Sequence, residues 1–150
     1  MRKSFNLWLL ALACSTAVAD GSMPSRGAKI GQKICVLVNE DEDSSLYAHP
    51  SSAHTLGEMV HMWSVIDYKL PQTSPKTAKS FLSEKSEEEF NCRGRQYRTI
   101  TYALHSAHMG LGDEVFISHK ASDWAPIEPN SEIELLMKSA CTKAGSVSLR

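Results

Sequence analysis

The sequence lacks most of the features that assign a protein quickly to a functional class. It has no basic excess, since 16 lysines and arginines stand against 17 acidic residues and the formal net charge is −1. Nucleic-acid binding depends on basic side chains that neutralise phosphates, so a DNA or RNA partner is not expected. No Gly-x-Ser-x-Gly elbow, Cys-x-x-Cys motif or paired zinc-ligand motif occurs. We therefore expect no catalytic residue, no cofactor and no enzymatic activity.

Long apolar runs are scarce, and the most distinct one lies at the N-terminus. Two basic residues precede the apolar stretch at positions 5–13, which is too short to cross a membrane but matches the core of a secretory signal. Small residues at Ala17 and Ala19 predict cleavage after Ala19. The alternative is lipidation of Cys14, which would anchor the protein at the outer membrane. We expect a periplasmic or secreted protein without a membrane span, with the lipid anchor as the alternative.

The remaining composition is that of one globular domain. The chain has 150 residues, of which 42% are hydrophobic and 22% are charged. Residues 1–19 are interpreted as the signal peptide and residues 20–32 as a flexible lead-in that is rich in glycine and serine. Residues 33–142 form the predicted folded domain, and residues 143–150 are a tail.

Alternating patterns of apolar and polar residues predict strands along most of the domain. The predicted strands are residues 33–38, 45–49, 59–68, 96–106 and 114–119. Both faces of residues 59–68 are partly apolar, so this strand is expected near the middle of a sheet. Pro50 and Pro71 are expected to end the second and third strands. Residues 76–89 are ambiguous between a helix and the first strand of a hairpin that turns at Gly94, and the acidic runs at 40–43 and 84–89 are interpreted as solvated turns.

One helix is predicted at the C-terminal end of the domain. Ser131 is a good N-cap, and Glu134 completes a capping box with it. An apolar stripe follows at helical spacing, formed by Ile133, Leu136, Met137, Ala140 and Cys141. The helix is expected to run from Glu132 to about Thr142. The predicted fold class is α+β, an antiparallel sheet of about five or six strands with one C-terminal helix packed on it.

The four cysteines give an odd count once the signal peptide is removed. Cys14 leaves with it, so at most one disulfide and one free thiol remain. Cys35 lies inside an apolar run and is interpreted as a small buried hydrophobic residue. The economical pairing is Cys92 with Cys141.

The six histidines raise the question of a metal site. His105 and His108 lie near the end of a predicted strand, where alternation does not place both rings on one face. His54 and His61 form a second pair, but no cysteine or carboxylate lies at the usual zinc spacing from them. We therefore expect no metal site.

One local cluster combines basic and aromatic side chains. Arginine and tyrosine are favoured at binding hot spots, so the cluster is a candidate partner-binding site; the alternative is that its members are exposed residues of a hairpin. The cluster consists of Arg93, Arg95, Tyr97, Arg98 and Tyr102.

The second half of the chain carries a specific series of motifs. A polar residue precedes Cys92, a Tyr-Arg pair follows in the next strand, and a glycine-rich turn leads to the segment at 124–131 and to a helix that ends at Cys141. In these motifs the chain resembles the surface-adhesin protein E-like domain family over roughly residues 33–141. Asn130 stands where members often carry glycine.

The resemblance implies an antiparallel sheet with the terminal helix packed on it, a Cys92–Cys141 disulfide and a strand before Cys92. It also implies a function, because the founding adhesin lies on the bacterial outer surface and binds host extracellular-matrix and serum proteins. Most relatives are envelope proteins without an assigned role. The implied partner is an envelope or extracellular-matrix protein, with a homodimer left open. The alternative is a periplasmic structural or stress-related domain with no host ligand.

Overall fold

One antiparallel sheet, one α-helix and a short 3₁₀-helix at His108–Gly110 lie in the part of the chain that the computed structural model describes, residues 35–145. The strands are β1 (Val36–Glu40), β2 (Ser44–Leu56), β3 (Met59–Thr73), β4 (Ser80–Asn91), β5 (Gln96–His105), β6 (Glu114–Ser118) and β7 (Ala125–Pro126), and the helix is α1 (Glu132–Gly145). Strands β1 to β6 lie side by side in chain order, and the two-residue β7 pairs with the start of β5. The predicted fold class, an antiparallel sheet with a C-terminal helix packed on it, is confirmed.

Strand β3 lies in the middle of the sheet, between β2 and β4. Val60 and Met62 are buried on one of its faces, and Val65 is buried on the other. A strand with apolar residues on both faces buries more of them in the centre of a sheet than at its edge. The prediction that residues 59–68 form a central strand is confirmed.

Two prolines do not end their strands, which corrects the prediction. Strand β2 continues past Pro50, and strand β3 continues past Pro71. In both strands the pairing shifts register around the proline, between His49 and His54 in β2 and between Asp67 and Gln72 in β3. Proline lacks a backbone N–H, and such an irregularity tolerates it because the ladder is already interrupted there.

Residues 80–91 form strand β4 and not a helix, which resolves the ambiguity in favour of the hairpin. The turn between β4 and β5 is closed by the Asn91 side chain, which accepts the Gly94 N–H at 2.8 Å. The acidic run at 84–89 is therefore part of a central strand, and Glu88 and Glu89 are buried. Its interpretation as a solvated turn is wrong, because pairing with β3 and β5 on both sides removes it from water.

Helix α1 begins where the capping pattern predicts. The Glu134 N–H donates to Ser131 Oγ at 3.3 Å, while the Glu134 carboxylate accepts the Asn130 N–H at 2.9 Å. The carboxylate also accepts a hydrogen bond from Arg95 at 2.7 Å, and this bond, followed by the one from Asn130, lowers the pKa of Glu134 to about 2. The helix ends three residues later than predicted, at Gly145.

The main hydrophobic core lies between α1 and the sheet. It is formed by buried residues of β2, β3, β4, the segment before α1 and α1 itself: Leu46, Ala48, Val60, Met62, Phe90, Ile127, Leu136, Met137 and Ala140. The apolar stripe predicted for the helix thus faces the sheet. Burial of such a stripe is what holds a helix of this length in place, since its isolated stability in water is marginal.

A disulfide between Cys92 and Cys141 fastens α1 to the end of the β4–β5 hairpin. Their Cα atoms are 6.0 Å apart, so the predicted pairing is confirmed. Cys35 is also disulfide-bonded, and no cysteine in residues 35–145 is free. The interpretation of Cys35 as a small buried hydrophobic residue is wrong, because this residue is half-exposed and disulfide-bonded.

The N-terminal predictions concern residues that the structure does not describe. Cleavage after Ala19, lipidation of Cys14 and the lead-in at 20–32 all lie outside residues 35–145. Within that range no helix has the length and apolar character needed to span a membrane.

The backbone at Asn130 gives a direct test of the boundary before α1. Its φ is +62°, in the left-handed region that glycine and asparagine tolerate best. Asn130→Ala is expected to destabilise the protein by about 1 kcal/mol, because an alanine Cβ is strained there. Asn130→Gly is expected to cost less, since glycine adopts this conformation without strain. Thermal melts of both variants check this, and an alanine variant at least as stable as the glycine variant would contradict it.

Candidate functional site

The face of the sheet that α1 leaves uncovered carries the most distinctive arrangement of polar side chains. Side chains alternate along β3, so His61 points away from the helix-covered Val60 and Met62. The strand register aligns His61 with His54 on β2 and with Glu89 on β4, and Glu89 with Arg98 on β5. One residue from each of four neighbouring strands therefore forms a continuous row. We call this side of the sheet the distal face.

The row is held together by buried ionic contacts. His61 Nε2 lies 3.1 Å from Glu89 Oε1, and Arg98 Nε donates to the other oxygen of the same carboxylate. His61 and Glu89 are each only 7% exposed. Burial alone would raise the pKa of Glu89, but the hydrogen bonds from Arg98 and His61 outweigh it, and the pKa is lowered. The carboxylate therefore stays ionised and holds both neighbours in position.

Two aromatic rings on the distal face contact basic side chains. The Arg98 guanidinium lies 4.7 Å from the ring centroid of Trp124, and Lys85 Nζ lies 4.9 Å from that of Trp63. Trp124 is 37% exposed, and the Arg98 side chain is 32% exposed. The loop before Trp124 is held against β5 by Ser122, whose N–H donates to the Thr99 carbonyl at 2.9 Å. The Arg98–Trp124 pair is thus both accessible and firmly supported.

Two of the five predicted partner-binding residues lie on the helix side of the sheet. Arg95 forms an ion pair with Glu134 of α1 at 2.7 Å, and Tyr97 packs against the hydrophobic core under the helix. Both side chains therefore contact α1 or the core beneath it.

The other three predicted partner-binding residues do not form one site. Tyr102 packs against Phe116 of β6, with ring centroids 5.7 Å apart. Arg93 lines a cleft of about 360 Å³ beside the disulfide. Arg98 alone lies in the row on the distal face. The sequence cluster is split because neighbouring residues of a strand point to opposite faces. Trp124, which completes the site around Arg98, was not among the predicted residues.

A second polar region lies beneath α1, on the helix-covered face. Glu88 is buried there, and Ser64 Oγ donates to its carboxylate at 3.0 and 3.1 Å to the two oxygens. It borders a cavity of about 200 Å³, which Glu84 and Glu132 also line. Burial raises the pKa of Glu88 to about 8 and also raises that of Glu84. Glu88 is therefore mostly protonated near neutral pH.

The two histidine pairs considered as metal ligands differ in the contacts that their rings make. His108 Nδ1 lies 3.2 Å from an oxygen of Asp67, while His105 belongs to β5 and its Nδ1 has no hydrogen-bond partner among the described residues. His54 and His61, by contrast, have ring centroids 5.2 Å apart. Each offers a ligand atom, and Glu87 of β4 offers a third, with all three within 4.8 Å of one another. The carboxylate comes from a strand distant in sequence, which spacing along the chain does not reveal.

Comparison with known proteins places this sheet and helix in a family. Residues 36–142 match the family model described as surface-adhesin protein E. The chain belongs to this family. The match covers most of the chain and includes every strand and nearly all of α1, so the resemblance seen in the sequence motifs is confirmed.

Solved structures of Haemophilus influenzae protein E share the fold. One has a TM-score of 0.60 and 13% sequence identity, and the alignment covers 85% of this chain and 96% of that chain. Its selenomethionine form has a TM-score of 0.61 at 13% identity, with 85% and 98% covered. At this identity the likeness to Haemophilus protein E concerns the fold alone. None of the curated proteins matches this chain in sequence.

Proposed function

We propose that the protein is a non-catalytic module of the bacterial cell envelope that binds a protein partner, in the manner of an adhesin, through the distal face of its sheet. Membership of the surface-adhesin protein E family supports this class of function. The observation that carries the proposal is the accessible Arg98–Trp124 pair, in which the guanidinium carbon lies 4.7 Å from the centroid of the tryptophan ring.

Arginine and tryptophan are enriched among the few residues that dominate the affinity of protein–protein interfaces. Ordering a flexible side chain at an interface costs about 0.5–1.5 kcal/mol. Arg98 is already held by the buried Glu89 carboxylate, and the loop before Trp124 is already bonded to β5. A partner that stacks on this pair would therefore lose little affinity to ordering it.

The other predicted residues have a supporting role in this proposal. Arg95 and Tyr97 hold α1 and the core on the opposite side, so they keep the sheet rigid without touching the partner. Arg93 and Tyr102 lie away from the Arg98–Trp124 pair and are peripheral to the contact. The expected partner is an envelope or extracellular-matrix protein.

Export is part of the proposal, because an adhesin acts outside the cytoplasm. Cleavage after Ala19 would release a soluble periplasmic or secreted protein, and lipidation of Cys14 would hold it at the outer membrane. Mass spectrometry of the mature N-terminus distinguishes a free Asp20 from a lipid-modified Cys14.

Replacing Trp124 with alanine tests the proposed contact. If Trp124 is a hot spot, the variant should bind its extracellular-matrix or envelope partner at least about 30-fold more weakly, which corresponds to about 2 kcal/mol. Surface plasmon resonance against immobilised matrix, serum and envelope proteins measures the change.

Leu135→Ala is the matched control, because Leu135 is 39% exposed and belongs to α1, not to the distal face. Loss of binding in the Trp124 variant with retention in the Leu135 variant supports the proposal. Equal binding by both variants rejects the distal face as the contact surface. A wild-type protein that binds none of the immobilised proteins favours the alternative of a structural or stress-related periplasmic domain.

A further inference from the structure

Three potential metal ligands meet on the distal face, on three adjacent strands. His54 of β2 lies directly opposite His61 of β3. Glu87 of β4 is paired with Trp63, two residues from His61 on the same face. One nitrogen or oxygen from each of His54, His61 and Glu87 lies within 4.8 Å of the other two. The sheet itself thus brings together two imidazoles and one carboxylate.

The contacts of His61 place one ring nitrogen beside Glu89 and the other beside Glu87. Its Nε2 lies 3.1 Å from Glu89 Oε1, and a carboxylate oxygen accepts hydrogen bonds, so the tautomer with the proton on Nε2 fits this contact. In the neutral ring, Nδ1 then holds the lone pair, and Nδ1 lies 3.5 Å from Glu87 Oε1. Arg98 in turn holds Glu89. A carboxylate that orients a ligating histidine through its second nitrogen is the usual outer-shell arrangement of metal sites.

A hydrogen bond to the backbone orients the His54 ring. Its Nδ1 lies 3.1 Å from the backbone carbonyl of Ser52, which can only accept, so Nδ1 carries the proton. The lone pair is therefore on Nε2. His54 is exposed near the end of the β2–β3 hairpin, so its ring can move without disturbing the core. A tetrahedral site with bonds of about 2.0–2.1 Å places ligand atoms about 3.3 Å apart, so metal binding requires the exposed His54 ring to move closer to the other two ligands.

From this geometry we infer that His54, His61 and Glu87 bind one Zn²⁺ ion. Two imidazole nitrogens and a carboxylate oxygen are typical zinc ligands, whereas Ca²⁺ and Mg²⁺ prefer sites made of oxygen atoms. Three protein ligands leave a fourth tetrahedral position for water. The ion would join β2, β3 and β4 on the distal face. This inference does not depend on the partner binding proposed above.

Isothermal titration of the chelator-treated full-length exported protein with Zn²⁺ tests the inference. We expect one ion per chain with micromolar affinity. His54→Gln and Glu87→Gln should each weaken binding at least about tenfold, since each removes one of three ligands. His54 is exposed, so its variant should melt at the wild-type temperature, which separates loss of a ligand from loss of fold. His119→Gln, at another exposed histidine, is the matched control and should bind zinc normally.

Two results would overturn the inference. The first is the absence of saturable zinc binding, or binding that the His54 and Glu87 variants leave unchanged within twofold; His61 would then serve only as an ionic link between Glu87 and Glu89. The second is binding of Ca²⁺ that competes with Zn²⁺ at these residues, since it would contradict the assignment to a nitrogen-ligated metal.

Discussion

Replacing both Cys92 and Cys141 with serine is expected to lower the melting temperature by more than about 10 °C. The bond closes a loop with a sequence separation of 49 residues, and loop-closure entropy assigns about 4 kcal/mol to a cross-link of that span. A domain of this size has a total stability of only about 5–15 kcal/mol. The loss of stability is concentrated at the contact between α1 and the sheet, because the bond fastens α1 to the end of the β4–β5 hairpin.

The double variant is preferable to chemical reduction, because it removes this bond alone, whereas a reductant acts on every disulfide in the chain. Circular dichroism melts of the wild type and the variant, each with and without reductant, separate the contribution of this bond from any other effect of the reductant. Melting temperatures of the oxidised wild type and the variant that agree within about 2 °C would show that core packing alone holds α1 in place.

The features that the sequence predicts well are those with a local signature. The capping pattern at Ser131 and Glu134 and the apolar stripe after it lie within a few residues of one another, and the structure places both as expected. The motifs around Cys92 and Cys141 identify the family, and family membership implies their pairing even though the two residues are far apart in the chain.

The features that the sequence misses depend on neighbours that are remote in the chain. The acidic run at 84–89 has the composition of a solvated turn, yet its burial is determined by the strands that pair with β4 on either side. Pro50 and Pro71 are expected to end strands, and only the register shifts of the assembled sheet show how they are accommodated. Composition indicates what a segment prefers alone, whereas tertiary pairing determines what surrounds it.

The distal face shows that a binding site, too, is only partly predictable from the sequence. The sequence cluster from Arg93 to Tyr102 is contiguous in the chain, but alternation along the strand divides it between two faces. The row from His54 to Arg98 is contiguous in space and is spread over four strands. A hairpin with a two-residue turn at Gly57 and Glu58 would have paired His54 with His61 from the sequence alone. The contribution of β4 requires the complete sheet.

Replacing Glu88 with glutamine is expected to remove much of the pH dependence of stability between about pH 4.5 and pH 8. Burial raises the pKa of Glu88 from 4.5 to about 8 in the folded protein. Below about pH 4.5 the folded and unfolded chains both carry the proton, so the group adds no pH dependence. Between the two values only the folded chain keeps it, and stability falls by up to about 1.4 kcal/mol per pH unit as the pH rises. Glutamine stays neutral throughout.

At about pH 7 the glutamine variant should therefore gain about 3 kcal/mol relative to its difference from the wild type at about pH 4. Urea unfolding at several pH values measures this change, and any constant difference in packing cancels because only the variation with pH is compared. Glu58→Gln, at an exposed position in the β2–β3 turn, removes the same charge and should show little of the effect. Glu84 and Glu132 line the same cavity and are present in both proteins, so they do not account for the difference. If the Glu88 and Glu58 variants follow the same pH profile, the Glu88 carboxyl is ionised beneath α1, and the cavity must then be wet enough to stabilise a charge.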